Sequence, residues 1–468
     1  MSAAVMPGSR AHDSAAAPHV VVIGGGIIGV SCCYELLSRG LRVTLLEQDA
    51  EGVARKGSFQ NGNFLNSQWI PPIANPNFPA EFWKSLRGQG QFLPLETSVT
   101  EVLRPRFARW CFHLFSQFLP GRHNALAASG SSLSQDTIAR IRRLREKHRE
   151  LEEIPLYEGV LTLVANEEEA CARQKEGKRL VPGPELVEVE PLLKPLVSAG
   201  TVHCGAINAS GLCIDCHEFA QALHRICATQ LGMQTLFGAR AKSLVMDELG
   251  KRCVGVSVSG GQTVDCDAVV VATGCQTREF LAPYAPKLPI IAVGGYSLDW
   301  LPKEKVLHTF HKVVLLKGLG IAESCGRLRM SGLVHFGGGN HHVPSDTEAA
   351  RVANLLRDRV LARSGLDLTN ILPQPGDGSG ASCWACFRPC TPDNLPLIGQ
   401  LPPLNNLYIC SGHSFSGWGW SLGSAALLAD AVNGHFGGSK TSAVDPGPFN
   451  PTRFGMFAWL QKNTAGMS

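Results

Sequence analysis

The stretch HVVVIGGGIIGVSCCYELLSRGLRVTLLEQ, residues 19–48, decides the fold. His19–Ile23 is rich in valine and isoleucine, the composition of a parallel strand buried on both faces. Gly24-Gly25-Gly26-Ile27-Ile28-Gly29 follows at once. A helical pattern then runs from Val30 to Arg39 and stops at Gly40. A second strand, Arg42–Leu46, delivers Glu47, 18 residues beyond Gly29. Strand, glycine turn, helix, strand and acid in that order form a dinucleotide-binding βαβ unit. Gly24 permits the tight turn, Gly26 lets a pyrophosphate approach the main chain, and Gly29 lets helix lie on strand. Glu47 can accept from a ribose hydroxyl. Ile27 and Ile28, at a helix start that presents unpaired N–H groups to phosphate, and Gln48, next to Glu47, complete the expected cofactor set. The motif leaves NAD and FAD both open.

Working outward, 468 residues exceed what one small core serves, so two domains are expected. Composition is that of a globular chain, 44% hydrophobic and 18% charged. A net charge of +4 is too mild to point to nucleic acid. The 16 cysteines are scattered among apolar neighbours and read as small buried hydrophobes in a reducing compartment. Residues 1–18 are Ala- and Ser-rich with Arg10 as their one arginine. Lacking an apolar core segment, they are expected to be a disordered extension and not a secretory signal. A cytoplasmic location is expected, with a mitochondrial one as the alternative. The most apolar window, 20–37, carries four glycines and Glu35, so no transmembrane segment is expected.

Further along, residues 76–150 carry Phe82, Trp83, Phe107, Trp110, Phe112, Phe115 and Phe118, suited to helices packed on a sheet. A charged helix is expected over Ser131–Glu153, with Ile138, Ile141, Leu144 and Leu151 along one stripe. Its Arg140, Arg142, Arg143, Arg145, Lys147 and Arg149 are expected on a solvated face. Pro-rich turns are read at 182–195. Cys213-Ile-Asp-Cys216-His217 has the spacing of haem attachment, but it opens an amphipathic helix over 217–231 with Asp215 as N-cap. Thr263–Gly274 reads as one strand ending on glycine, strands fill 250–340, and a helix spans about 346–363.

CWACFRPC, residues 383–390, sets Cys383, Cys386 and Cys390 around Arg388. With no fourth ligand at short spacing, no metal is expected there, and Arg388 suits a carboxylate. Asn406–Cys410 reads as a strand, followed by the turn SGHSFSGWGW and a helix from about Gly419. That helix N-terminus could stabilise negative charge.

These segments together resemble the FAD-dependent D-amino acid oxidase (DAO) superfamily, and within it the bacterial D-amino acid dehydrogenases. The resemblance covers about 19–434 and rests on the 19–48 unit, SFQNGNFLNSQWIPP (58–72), GGYSL (294–298) and CFRPCTPDNLPLIG with the C-terminal turn. It implies an α/β fold: a Rossmann-like FAD domain of the two-dinucleotide-binding-domain type, with an interleaved α+β substrate domain on a mostly antiparallel sheet. The expected FAD domain is 19–75, 196–288 and 384–440, the substrate domain 76–195 and 289–383, and the tail 441–468. FAD contacts are implied at Gly24, Gly26, Gly29, Glu47, Ser58, Asn61, Gly274 and the turn containing Gly412, Ser416, Gly417 and Trp418. Arg388 is implied as the substrate-carboxylate arginine, Tyr296 as a lid over the pocket and His413 as part of the flavin turn.

The implied reaction is hydride transfer from Cα of a 2-amino acid, a D-amino acid by preference, to flavin N5, giving an imine that water hydrolyses to a 2-oxo acid and ammonia. Glycine, sarcosine or a cyclic imino acid is the alternative substrate, and a flavin-binding regulatory protein without turnover the alternative class. The electron acceptor would be a quinone, a carrier protein or oxygen. Gly294 stands where a lysine is common and Gly57 where a threonine is. Cys386 stands where some relatives bind flavin covalently, although non-covalent FAD is expected.

Overall fold

The computed structural model describes residues 17–66, 80, 103–118, 121–164, 166–200, 202–301, 313–316, 319–336, 343–364 and 381–455. Residues 1–16, the 67–72 part of the second loop, Phe82 and Trp83 lie outside these. Strand β1 (His19–Ile23) leads through the glycine turn into helix α1 (Ile27–Leu37) and strand β2 (Arg42–Leu46). The helix starts three residues earlier than its apolar pattern, because the Gly26 carbonyl already accepts from Val30 N.

β1 lies centrally in a six-stranded sheet, parallel to β2 (Val21↔Thr44) and to Ala268–Val271 (Val21↔Val269). Beyond β2 lies Gln234–Leu236; beyond Ala268–Val271 lies Leu407–Ser411, then the antiparallel edge strand Leu397–Gln400. Alternate residues serve two cores. Val20, Val22, Leu45 and Val270 pack with Cys32, Phe219 and Leu428 of the helices. Val21, Ile23, Leu46 and Val271 pack with Leu244 and Val256 of a small antiparallel sheet. The expected strand at 263–274 is therefore two. Thr263–Asp265 belongs to the small sheet and Ala268–Val271 to the large one, with the Asp267 carboxylate accepting from His19 N (2.8 Å) at the step between them.

A second sheet runs in the order Ser382–Cys390, Ile291–Trp300, Arg327–Phe336, Leu319–Ser324, Val313–Leu316, Leu156–Val164, Cys204–Ile214 and Phe64–Leu65. Arg179–Pro182 also pairs with Cys204–Ile214. All its pairings are antiparallel except that of Val313–Leu316 with Leu156–Val164. Two expected boundaries shift as a result. Cys204–Ile214 and Ser382–Cys390 belong to this sheet, whereas 196–214 and 384–390 were placed with the nucleotide-binding segments. Residues 182–195 are largely helical, with Gly183–Val189 and the turn Pro191–Leu193 leading into Lys194–Ser198.

The charged helix runs over Arg122–Lys147, with a separate turn at Arg149–Glu152. Its stripe Ile138, Ile141 and Leu144 is buried, but Arg140 is not on a solvated face. Arg140 Nη1 meets Glu35 (2.9 Å), Glu35 meets Arg39 (2.6 Å), and Arg39 meets Asp430 (2.7 Å), joining three helices through enclosed charges. Arg145 donates to the carbonyls of Leu151, Glu152 and Ile154. Among the described residues, no helix is long and apolar enough to cross a membrane.

A second buried ionic cluster lies within this second sheet and ties it to the helix Cys216–Gln230. Asp215 caps the helix Cys216–Gln230 by accepting from His217 N (2.8 Å) and Glu218 N (3.0 Å). Its other oxygen takes Arg329 Nη1 (3.2 Å), Asn63 Nδ2 (3.1 Å) and the Ser324 hydroxyl. Arg329 is held in turn by Asp299 (2.8 and 3.1 Å).

Candidate active site

A cavity of about 1460 Å³ runs between the two sheets. At one end it is lined by the glycine turn, Glu47, Gln48, Lys56–Ser58 and Ala272–Gln276. Gly24 has φ +103°, and a Cβ there would come 2.7 Å from the Ala272 carbonyl oxygen. A Cβ at Gly29 would overlap the Gly24 carbonyl oxygen, so both positions demand glycine. Glu47 fastens the turn: Oε2 accepts from Gly25 N (2.6 Å) and Oε1 from Asp49 N (2.8 Å). Burial pushes its carboxyl pKa up, and those amide hydrogen bonds oppose the rise.

Ser58 Oγ accepts from Ile27 N (3.0 Å), while Gly26, Ile27 and Ile28 face the cavity at the start of α1. Gln48 Nε2 donates to Gln276 Oε1 (3.2 Å), and both line the wall. Asn61 also lines it, its Oδ1 accepting from Asn63 N (2.8 Å). Gly274, at φ +54°, lines it just past the Ala268–Val271 strand.

The turn after Leu407–Ser411 closes the middle of the cavity and opens the helix Gly417–His435, two residues before the expected start. Ser416, Gly417 and Trp418 line the cavity, and no side chain caps this helix N-terminus. Two helix N-termini thus face one cavity, and apart from Ile27 N, which Ser58 holds, their first-turn amides have no acceptor within the helix. Trp418 Nε1 donates to Ile214 O (3.1 Å), anchoring the turn to the second sheet. Gly412 does not line the cavity; at φ +78° it packs against Thr391 and shapes the turn. His413 does line it, buried, with Nε2 3.1 Å from Ser424 Oγ. Cys410 also lines the cavity: burial raises its thiol, but hydrogen bonds with Cys32 and His413 outweigh burial and draw it down, while the same contact pushes Cys32 up.

At the other end, the two-residue period of a strand decides who faces inward. Cross-strand partners Val293↔Arg388 and Gly295↔Cys386 share one face of the second sheet. Cys386 and Arg388 line the cavity. Tyr296 pairs with Ala385 and faces the other way, 5% exposed, in a cluster with Leu298 and Phe387. Its hydroxyl donates to Glu348 Oε1 (3.1 Å). The expected lid residue is therefore outside the cavity, because it is one residue out of phase with the inward face.

The same period separates the cysteines. Cys383 sits with the Tyr296 cluster, whereas Cys386 and Cys390 face away from it, about 13 Å apart along the strand. Burial pushes both Cys383 and Cys390 up to about 12, so the three thiols do not form a convergent thiolate set. Cys386 Sγ lies 3.8 Å from Gly57 O, and burial raises its pKa against a smaller opposing effect of Arg388. Cys213 and Cys216 are buried, and His217 Nδ1 contacts Ala54 O (3.1 Å), which removes the haem pattern from any accessible surface.

Arg388 Nη1 is buried and has no hydrogen-bond partner among the described residues. Its Cζ lies 5.1 Å from the centroid of the Phe415 ring. A buried guanidinium nitrogen without an acceptor is costly unless a ligand supplies one.

The family model described as FAD-dependent oxidoreductase, DAO, matches residues 19–431. The chain belongs to the DAO family.

Among curated relatives, D-amino acid dehydrogenase of Neisseria meningitidis serogroup C (strain 053442) is 30% identical over 440 residues, covering 89% of this chain and 96% of the relative. D-amino acid dehydrogenase of Vibrio vulnificus (strain YJ016) is 26% identical over 429 residues, covering 88% and 95%. Among solved structures, glycine oxidase from Geobacillus kaustophilus superposes with a TM-score of 0.66 at 21% identity, covering 93% of this chain and 99% of that one. L-proline dehydrogenase from P. horikoshii gives 0.64 at 20%, covering 94% and 98%.

The cavity of this DAO-family chain fits the FAD on which the family depends. Gly24 and Gly29 allow the tight main-chain packing that shapes the turn, Gly26 leaves its side bare but for Ser58 Oγ 3.5 Å from where a Cβ would stand, and the start of α1 would take the pyrophosphate. Glu47 and Gln48 would take the ribose, and the 413–418 turn would meet the flavin ring. Gly295, Phe415 and Leu333 were not singled out from the sequence. The first carried a signal, a second glycine inside a strand, which often marks close backbone approach.

Proposed function

We propose that the protein oxidises a 2-amino acid, preferentially of D configuration, to a 2-oxo acid and ammonia. The observation that carries this reading is the unpartnered Nη1 of Arg388 at the cavity face, a planar donor suited to a carboxylate. Bound FAD would supply the hydride acceptor. The protein's own part is positional. Arg388 holds the carboxylate so that Cα is fixed, and the amides at the 416–418 helix start face the developing negative charge. FAD would be held non-covalently, a reading consistent with the burial that raises the Cys386 thiol pKa and so disfavours the nucleophilic thiolate. The names of the 26–30% identical relatives support a dehydrogenase, whose electrons would pass to a quinone, a carrier protein or oxygen.

The test is anaerobic bleaching of the flavin by a panel of D- and L-amino acids, glycine and sarcosine, repeated on Arg388→Ala. Bleaching by D-amino acids is expected, with the half-saturating concentration raised about 30-fold or more in the variant, roughly 2 kcal/mol of lost carboxylate binding. Equal bleaching of both proteins at low amino acid concentration would remove the carboxylate assignment.

A further inference from the structure

We infer that Gly295 and Phe415 are positioning residues that fix the guanidinium of Arg388 in one plane, so that substrate affinity depends on both. This inference rests on the reading of Arg388 as the carboxylate-binding group. Three surfaces enclose that guanidinium. Below it is the bare main chain of Gly295: a Cβ there would overlap Nη1 and lie 2.9 Å from Cζ. Beside it is the Leu333 carbonyl oxygen, which such a Cβ would approach to 2.8 Å. Above it is the Phe415 ring, 5.1 Å from Cζ, at cation–π distance.

The Leu333 wall has a local cause. The pairing of Ile291–Trp300 with Arg327–Phe336 shifts register between Gly294 and Tyr296, and Leu333 takes a left-handed conformation at φ +61°. A bulge of this kind re-aims backbone groups, and a leucine held at positive φ marks a place where the surroundings impose the conformation. Phe415 arrives from a different element, the turn that opens the Gly417–His435 helix and lines the same cavity. The slot is thus assembled from both halves of the molecule around one side chain. An arginine with one permitted plane offers its donors to a carboxylate with little further ordering.

The steric prediction is specific, because of the two groups closest to a new Cβ, the guanidinium tip moves far more cheaply than the backbone. Gly295→Ala is expected to swing Arg388 out of plane and to push the Leu333 carbonyl, 2.8 Å from the new Cβ, slightly aside. Anaerobic flavin reduction by a D-amino acid, read as half-saturating concentration and limiting rate, separates the possibilities. Gly295→Ala should raise half-saturation at least tenfold, change the limiting rate less than threefold and keep the flavin content. Phe415→Leu should raise it at least threefold. On an Arg388→Ala background, each substitution should change half-saturation less than twofold.

If Gly295→Ala and Phe415→Leu act equally with and without Arg388, they do not work through it and the inference is overturned. It is overturned too if neither changes half-saturation. If Arg388→Ala alone leaves half-saturation unchanged, the carboxylate reading itself fails, and the positioning role with it. Should Gly295→Ala fail to fold, Phe415→Leu with and without Arg388→Ala carries the same cycle.

Discussion

Replacing Asp215 by Asn measures what the ionic tie between the second sheet and the helix Cys216–Gln230 contributes. The amide retains an oxygen for the N–H groups of His217 and Glu218, so the helix cap survives. What disappears is the charge facing Arg329, 3.2 Å away in a nearly closed environment. Breaking a buried pair costs about 3–5 kcal/mol when the surviving charge is stranded. Arg329 is not stranded, since Asp299 still holds it at 2.8 Å, which reduces the expected loss to about 2 kcal/mol. Asp215→Ala removes the cap as well and should lose about 1 kcal/mol more.

The pH dependence gives the sign. Burial alone would raise the Asp215 pKa, but Arg329, Ser324, the Glu218 amide and Asn63 outweigh it and hold it below the ordinary carboxylate value. Its stabilisation is therefore present above the unfolded value near 4 and is lost as pH falls through the folded one. Urea unfolding followed by circular dichroism at pH 7 and at successively lower pH reads this directly. The gap between parent and Asp215→Asn should be widest at neutrality and close below about pH 4. A gap under about 0.5 kcal/mol at pH 7, or one that widens on acidification, refutes the reasoning.

Two further outcomes follow from close contacts. Gly29→Ala forces a Cβ into the Gly24 carbonyl, main chain against main chain, so the purified variant should carry less than about one-tenth of the parent's flavin per protein. Near-parental flavin content would mean that the turn does not form the cofactor's cradle. Tyr296→Phe removes a hydroxyl bonded to Glu348 on the far side of the sheet. It should lower stability by about 1 kcal/mol yet leave half-saturation in anaerobic reduction within about twofold. A tenfold rise there would place the tyrosine in the pocket after all.

The nucleotide-binding unit was legible because its signals are local: β1 and β2 end where the apolar runs end, and Glu47 meets Gly25 across a single βαβ turn. Arg388 is singled out by its planar donors and by resemblance, and the strand period puts it on the cavity face. Tyr296 went the other way because strand phase depends on which neighbour a strand pairs with, and the bulge at Leu333 carries no mark in the sequence. Arg140 was misplaced for a similar reason. A run of arginines on one helix gives no hint that Glu35, over a hundred residues earlier, lies opposite one of them. The split at Cys266-Asp267 was hidden in an apolar stretch that serves two sheets in succession.

The strand order has a consequence for how the molecule is made. Early in synthesis β1 can pair only with β2; its other neighbour begins at residue 268, and that strand's outer partner at 407. The cavity-lining helix start at Gly417 leaves the ribosome later still. Cofactor capture therefore belongs to the nearly finished polypeptide, after a long interval in which nascent strands lack their final neighbours and stand open to mispairing. Chains stopped short of residue 407 should accumulate as aggregates rather than as a smaller flavoprotein.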